Sequence, residues 1–133
     1  MASNAIVSNW VSSKIPSIET SWISEISFDD SNITTIGSSA CCSFIRLRLL
    51  ENCENITSIG DNAFYSCSKL TSASFQNATT IGSSAFQNCS NLTTASFKNA
   101  TTIGTGAFSG CTSLATIAST AFPSVNSIGT GVF

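Results

Sequence analysis

The chain has 133 residues, of which 42% are hydrophobic and only 9% carry a charge. This length fits a single domain, and the charged fraction lies far below the ~25% of ordinary globular proteins. A net charge of -2 and the lack of a basic stripe argue against nucleic acid as a partner. No apolar run is long enough to span a membrane, and no signal peptide is visible.

The first segment, residues 1–21, shows no repeat pattern and is predicted to form an N-terminal cap. Trp10 and Val11 would lie on an amphipathic turn or helix there, and Pro16 would end or kink that helix. The apolar end of a repeat stack needs such a cover. We therefore expect this segment to close the first coil of the domain that follows, residues 22–133.

From residue 22 onward the sequence repeats, and an Ile-Gly pair marks each copy. Successive pairs are 22 to 25 residues apart and begin at Ile36, Ile59, Ile81, Ile103 and Ile128. Four positions after each Ile comes a small residue, and in most copies a Phe follows it. Repetition at this period is typical of a solenoid, in which stacked units share one core.

The copy that begins at Leu70 indicates what each unit should form. Apolar Ala73 and Phe75 alternate with polar residues, which is the period of a strand with one buried face. A turn and a second short strand follow, and Gly82 is expected there to supply a positive φ. Residues 83–89 suit about one helical or 3₁₀ turn. Stacked at ~4.8 Å, such units predict parallel sheets.

One copy, around residues 41–57, departs from this pattern. Leu47 aligns with Leu70 and Ile56 with Ala78, which requires one inserted residue in the divergent copy. The pair Ala40-Cys41 fills the slot that Ala-Phe occupies elsewhere. We expect this coil to stack in line with the others despite its different sequence.

The recurring columns resemble the BspA-like leucine-rich repeats; the cleanest copies read LTSASFQNATTIGSSAFQNC and LTTASFKNATTIGTGAFSGC. The resemblance implies an α/β repeat solenoid of leucine-rich-repeat type, with parallel strands and short helical or 3₁₀ turns. It implies about five coils of 22–25 residues. It also implies an extracellular or cell-surface binding or adhesion module, with a protein or a glycan as its ligand.

A cysteine column recurs at the repeat spacing, at Cys67, Cys89 and Cys111. The chain has no histidine and no Cys-x-x-Cys pair, so neither a metal site nor a cofactor is predicted. Stacked Cα atoms lie within the range of a disulfide. Parallel side chains nevertheless favour free thiols that fill the core. A bridge from Cys53 to Cys41 or Cys42 is a further alternative.

The resemblance also implies that the concave face, formed by the outward side chains of the first strands, binds partners; the residues predicted on it are Ser72, Ser74, Gln76, Thr94, Ser96 and Lys98. The alternative is that these Ser and Thr side chains are simply exposed to solvent and bind no partner, because this face has none of the aromatic or Arg anchors that are common in hot spots. Catalysis has little support. The chain has no histidine, no nucleophile elbow and no glycine loop of the phosphate-binding type.

The sequence stops inside its own repeat, at Phe133. Three explanations of this ending are open: a fragment of a longer repeat protein, a small module whose end is tolerated, and a subunit that assembles head to tail. The third predicts a second function, a structural subunit that forms a filament. The N-terminal segment of the next subunit would complete the unfinished coil, and such a contact does not close. The residues predicted at this joint are Trp10, Val11, Val132 and Phe133.

Overall fold

The computed structural model describes residues 23–28, 31–114 and 122–133, together with the backbone of residues 4–6. These residues form ten short strands that are joined by turns. The strands are β1 (Asn4–Ile6), β2 (Glu25–Ser27), β3 (Thr35–Ile36), β4 (Leu49–Glu51), β5 (Ser58–Ile59), β6 (Ser72–Ser74), β7 (Thr80–Ile81), β8 (Thr94–Ser96), β9 (Thr102–Ile103) and β10 (Ser127–Ile128).

Every strand pairing in the described residues is parallel, as the repeat spacing predicts. The second strands of successive copies form one five-stranded sheet in the order β10-β9-β7-β5-β3. Ile59 lies opposite Ile81, and Ile81 lies opposite Ile103, so each Ile of the repeat has its counterpart in the next coil. The first strands form a three-stranded sheet, β1-β2-β4, and a two-stranded sheet, β6-β8. The chain therefore winds through about four turns.

The N-terminal strand β1 extends the first-strand sheet by one member. Asn4 lies opposite Glu25 and Ile6 lies opposite Ser27, in a parallel register. This pairing supplies main-chain partners to the edge of β2. The remainder of the predicted cap, including Trp10 and Val11, lies outside the described residues.

The core is a ladder of aromatic rings, because Phe recurs at the same position of successive coils. The ring of Phe86 stacks on Phe64 at 5.1 Å and on Phe108 at 5.3 Å. A second column stacks Phe75 on Phe97 at 5.8 Å. All five rings are fully buried, and each contributes roughly 1.5–3 kcal/mol through burial of its apolar surface.

The prediction that Gly82 supplies a positive φ is wrong. A Cβ built on this residue would lie 2.5 Å from the backbone nitrogen of Asp61 and 2.5 Å from the carbonyl carbon of Gly60. The repeat needs glycine here because adjacent coils approach too closely for a side chain. Gly104 meets the coil before it in the same way, with its Cβ position 2.4 Å from the Ser83 nitrogen.

The structure does not confirm the predicted α/β character or the five coils. In the described residues the one helix is a 3₁₀ turn at Cys53–Asn55, while residues 83–89 form consecutive reverse turns. The Gln87 N–H donates to Ser84 O in the same coil at 3.1 Å, but the Phe86 N–H donates to Ala107 O in the next coil at 2.8 Å. Because alternate N–H groups leave the coil, no helix forms.

Left-handed backbone reinforces these turns. Ser84 and Asn88 have φ values of 55° and 62°, which a right-handed helix excludes. Positive φ recurs at the equivalent positions of the next coil, where Gly106 and Gly110 occupy them. The fold is thus a β-solenoid of parallel strands and stacked turns.

Candidate binding surfaces

The first-strand face holds the six side chains that the sequence predicts as partner-binding. Ser72 lies opposite Thr94, and Ser74 lies opposite Ser96, in the paired strands β6 and β8. Ala73 is fully buried between the two serines of its strand. The alternation therefore turns these polar side chains away from the core, as predicted.

A carboxamide links the two coils on this face. Gln76 Nε2 donates to Ser74 Oγ at 2.8 Å and to Ser96 Oγ at 3.0 Å. Lys98 is exposed and follows the buried Phe97, at the position of its coil that Gln76 occupies in the coil before. The structure thus brings all six predicted residues onto one ordered polar surface that carries a single positive charge.

The last coil exposes apolar side chains near the predicted joint. Phe133 is 58% exposed and Ile128 is 60% exposed, whereas Val132 is buried in its own coil. The Phe133 ring stacks on Phe108 at 5.7 Å and so continues the aromatic ladder. Phe133 and Phe108 also line a cavity of about 220 Å³ with Cys111 and Leu114. Trp10 and Val11 lie outside the described residues.

The cysteine column is a ladder of free thiols. Each thiol donates to a carbonyl of the preceding coil: Cys67 to Cys41 O at 3.2 Å, Cys89 to Phe64 O at 3.2 Å and Cys111 to Phe86 O at 3.1 Å. All six cysteines of the chain are unbridged, including Cys53 and Cys42. The column therefore binds neighbouring coils together without covalent links.

Burial keeps three of the thiols protonated. It raises the pKa of Cys67 and that of Cys53 to about 12, and it also raises the pKa of Cys41. Because the thiolate is the reactive and metal-binding form, these three side chains are unreactive at neutral pH. Cys111 differs, because it is only partly buried and its hydrogen bond with Cys89 lowers the pKa of Cys111 while raising that of Cys89. Within the described ranges, no group of three His, Cys, Asp or Glu side chains is placed to hold a metal ion.

The divergent coil exchanges two core columns. The Phe44 N–H donates to Cys41 O at 3.2 Å, just as the Cys67 N–H donates to Phe64 O at 3.2 Å one coil later. Cys41 therefore lies in the phenylalanine column, and Phe44 lies in the cysteine column. Both side chains are buried, so the core keeps one large and one small side chain at this level.

The inserted residue of the divergent coil is absorbed where its first strand ends. Asn52 adopts a left-handed conformation with φ 55°, and the 3₁₀ turn Cys53–Asn55 follows it. The buried Cys53 is small where neighbouring coils carry Phe. The rings of Phe28 and Phe75, which come from the coils on either side, therefore meet edge to face at 6.5 Å.

A cleft with three cations adjoins the first-strand face, and sequence reasoning missed it. Here called the basic cleft, it measures about 630 Å³ and is lined by Ile45, Arg46, Arg48, Lys69, Thr71 and Asn91. Arg48 Nη2 forms an ion pair with Glu25 Oε1 at 3.0 Å. The overlooked signal is spacing: Arg46 and Lys69 are separated by one repeat, so the solenoid stacks them.

Comparison with known proteins gives one match. A family model for the BspA type leucine rich repeat region matches residues 17–133 in six copies. No curated protein and no solved structure matches the chain. Across the described residues, the structure contains no helix with the length and apolar character needed to cross a membrane.

Proposed function

The chain belongs to the BspA type leucine-rich-repeat family, and we propose that it is a non-catalytic protein-interaction module. The first-strand face, with its stacked polar side chains, serves as the binding surface. The family resemblance further supports an extracellular or cell-surface location and a role in adhesion. The ligand class that best fits a repeat module of this kind is a protein.

The bridge made by Gln76 is the observation that carries this proposal. By joining Ser74 and Ser96, it holds polar groups of two coils in one arrangement before any ligand arrives. Preorganised groups lose less conformational entropy on binding. A rigid polar surface of this kind can therefore bind a partner although it lacks large aromatic anchors.

A peptide-library selection on the immobilised protein tests the proposal. Replacing Ser74 and Ser96 together by Gln removes the bridge and covers the face with long neutral side chains. The matched control replaces Thr80 and Thr102, which are equally outward-facing on the opposite sheet, by Gln. We expect selected binders to lose affinity at least ~10-fold for the face variant and to retain it for the control. Equal binding to both variants would contradict the proposal.

A second candidate function is a structural subunit that polymerises head to tail. It is supported by the two exposed apolar side chains of the last coil, Ile128 and Phe133. A next coil that stacked on them would continue the aromatic ladder beyond Phe133. Trp10, Val11 and Val132 complete the proposed joint, with Val132 supporting Phe133 from within its own coil.

Light scattering after size exclusion, together with negative-stain electron microscopy, distinguishes the two functions. Filaments that disappear in Phe133→Asp would support the structural subunit. The matched control is Ile45→Asp, because Ile45 is also an exposed large hydrophobic side chain but lies in the divergent coil. The structural-subunit function would be contradicted if the protein were monomeric at all concentrations, or if the two substitutions changed assembly equally.

A further inference from the structure

We propose that Cys111 is a site of oxidation by a hydroperoxide, and that Cys89 then forms a disulfide with it. The site is separate from the binding surfaces described above, because neither cysteine belongs to the first-strand face or lines the basic cleft. Within the cysteine column, this pair combines a thiol that a small molecule can reach with a neighbouring thiol that is enclosed.

The repeat places the two thiols at equivalent positions of neighbouring coils. The Cys89 N–H donates to Phe86 O at 3.2 Å. One coil later, the Cys111 N–H donates to Phe108 O at 3.1 Å. Coils stack at ~4.8 Å, and a disulfide joins Cα atoms that are about 4.4–6.8 Å apart. The two thiols also hydrogen-bond each other, so they can be bridged once their side chains turn toward each other.

Exposure distinguishes Cys111 from the other members of the column. Cys67 and Cys89 are fully buried, whereas Cys111 is only partly buried. Cys111 lines the cavity of about 220 Å³, beside Phe108 and Leu114. A small hydroperoxide fits within this volume, since a single water needs far less. The oxidant can therefore reach Cys111 while the thiols behind it stay enclosed.

The hydrogen bond within the pair favours ionisation of the exposed thiol. It lowers the pKa of Cys111, against the opposing effect of partial burial, and it raises the pKa of Cys89. The thiolate, rather than the thiol, is the form that attacks a peroxide. Cys111 is thus the sulfur that reacts first, and Cys89 keeps the proton that the second step uses.

The reaction balances with one hydroperoxide for each pair of thiols. The Cys111 thiolate attacks the terminal peroxide oxygen, the O–O bond breaks, and the leaving oxygen takes up the proton that Cys111 gave to solvent. The sulfur, now oxidised to a sulfenic acid, is attacked by the sulfur of Cys89. The S–O bond breaks, and the released hydroxide combines with the Cys89 proton to form water.

The parallel direction of the side chains predicts that the bridge is easily reversed. Forming it requires both thiols to leave their hydrogen bonds with Phe64 O and Phe86 O. A disulfide that departs from unstrained geometry is more readily reduced. The free thiols are therefore the resting form, and the bridge joins two neighbouring coils covalently after exposure to an oxidant.

Peptide mapping after mild oxidation tests the site. The folded protein, freed of reductant, is treated with hydrogen peroxide, and the remaining thiols are blocked with N-ethylmaleimide before digestion. Trypsin cuts after Lys98, which separates Cys89 from Cys111. We expect peptides 70–98 and 99–133 to be joined, and to separate when dithiothreitol is added. A digest in which the two peptides are never joined would overturn the proposal.

The matched controls are Cys42 and Cys67. Cys42 is also partly exposed, but the next coil has Tyr65 at the equivalent position. Cys42 should therefore be labelled by dimedone, which traps sulfenic acids, and should form no bridge. Cys67 lies one coil from Cys89, as Cys111 does, but is enclosed and should stay reduced. Equal bridging of Cys89 to Cys67 and to Cys111 would contradict selection of the site by exposure.

Two substitutions assign the roles within the pair, and circular dichroism checks that each variant is folded. In Cys89→Ala, we expect a dimedone adduct at Cys111 and no bridge. In Cys111→Ser, which changes a partly exposed side chain and so serves even if the first variant unfolds, Cys89 should stay reduced. Oxidation of Cys89 in that variant would contradict the order of the two steps. In the parent protein, a disulfide between two copies through Cys111 would contradict the role of Cys89.

Discussion

The regular coils, residues 70–111, and the divergent coil, residues 41–57, both belong to the same stack of parallel strands but differ in chemistry. The regular coils repeat one residue type in each column, stack their rings, and carry Lys98 as their only charged side chain. The divergent coil exchanges two core columns, contains one inserted residue, and contributes Arg46 and Arg48 to the basic cleft, whose third cation, Lys69, belongs to the next coil.

Comparing the two kinds of coil shows which residues the fold requires in every coil and which residues vary and could be recognised by a partner. Any coil must supply glycine at the close approach, apolar residues in the core columns, and residues that tolerate left-handed turns. The divergent coil meets these needs with other residues and adds surface charge. Departures from the repeat are therefore the places in which to look for specificity.

The largest expected effect is the loss of stability when one ring is removed from the aromatic ladder of the regular coils. Phe86 stacks on both neighbours, at 5.1 Å and 5.3 Å, and is fully buried. Phe86→Ala should lower the free energy of unfolding by about 3–5 kcal/mol in urea denaturation. Phe133→Ala is the control, because this ring is largely exposed and should cost less than ~1 kcal/mol. Equal losses would mean that stacking at the end of the ladder matters as much as burial.

The second test exchanges the columns of the divergent coil. Phe44→Cys alone should cost about 2–4 kcal/mol because it leaves a cavity, and Cys41→Phe alone should cost about 1–3 kcal/mol through overpacking. The double variant restores the regular order, so its unfolding free energy should lie within ~1 kcal/mol of the parent. If the losses of unfolding free energy in the two single variants added up in the double variant, the other residues of the divergent coil would determine which of the two positions must hold the large side chain.

A third test adds one methyl group where coils meet. Gly82→Ala should destabilise by about 1–3 kcal/mol, because the new Cβ would meet backbone atoms that cannot move aside independently. Gly131→Asn is the control, since nothing lies within 4 Å of its Cβ position and Asn tolerates positive φ. A stable Gly82→Ala protein would indicate that the coils can separate locally without loss of the stack.

The smallest expected effect is a gain in stability. Ser84 has φ 55°, a conformation that is unfavourable for residues with a Cβ, and the next coil has Gly106 at this position. Ser84→Gly should stabilise by roughly 0.5–1 kcal/mol, after allowing for the entropy of glycine. The neighbouring Ser83→Gly has no positive φ to relieve and should destabilise. If both variants were less stable than the parent, the Ser84 side chain would make a stabilising contact that glycine cannot replace.

Much of the fold follows from the spacing of the repeat. The Ile-Gly period predicts parallel strands, and the structure confirms them by placing Ile81 between Ile59 and Ile103. The alternation around Ala73 predicts its burial and the outward direction of Ser72 and Ser74, which the structure also confirms. These features depend on local pattern and period alone.

Other features depend on contacts between coils, which residue types do not reveal. Residues 83–89 are predicted to form a helical turn, but the N–H groups of Ser84, Phe86 and Asn88 donate to the next coil. The role of Gly82 likewise depends on the distance to Gly60, one coil away. The basic cleft was missed because Arg46 and Lys69 are far apart in sequence and meet only through stacking.

Hydrogen bonds connect the coils of this solenoid in both directions. In the turn segments, N–H groups donate to carbonyls of the next coil, as those of Ser84, Phe86 and Asn88 do. Beside the second strands, N–H groups donate to the coil before, as those of Thr79 and Gly82 do. Peptide dipoles add only where they point the same way, so these two sets oppose each other. The stack therefore lacks the aligned peptide dipoles of an α-helix, although each interior coil is bonded to both of its neighbours.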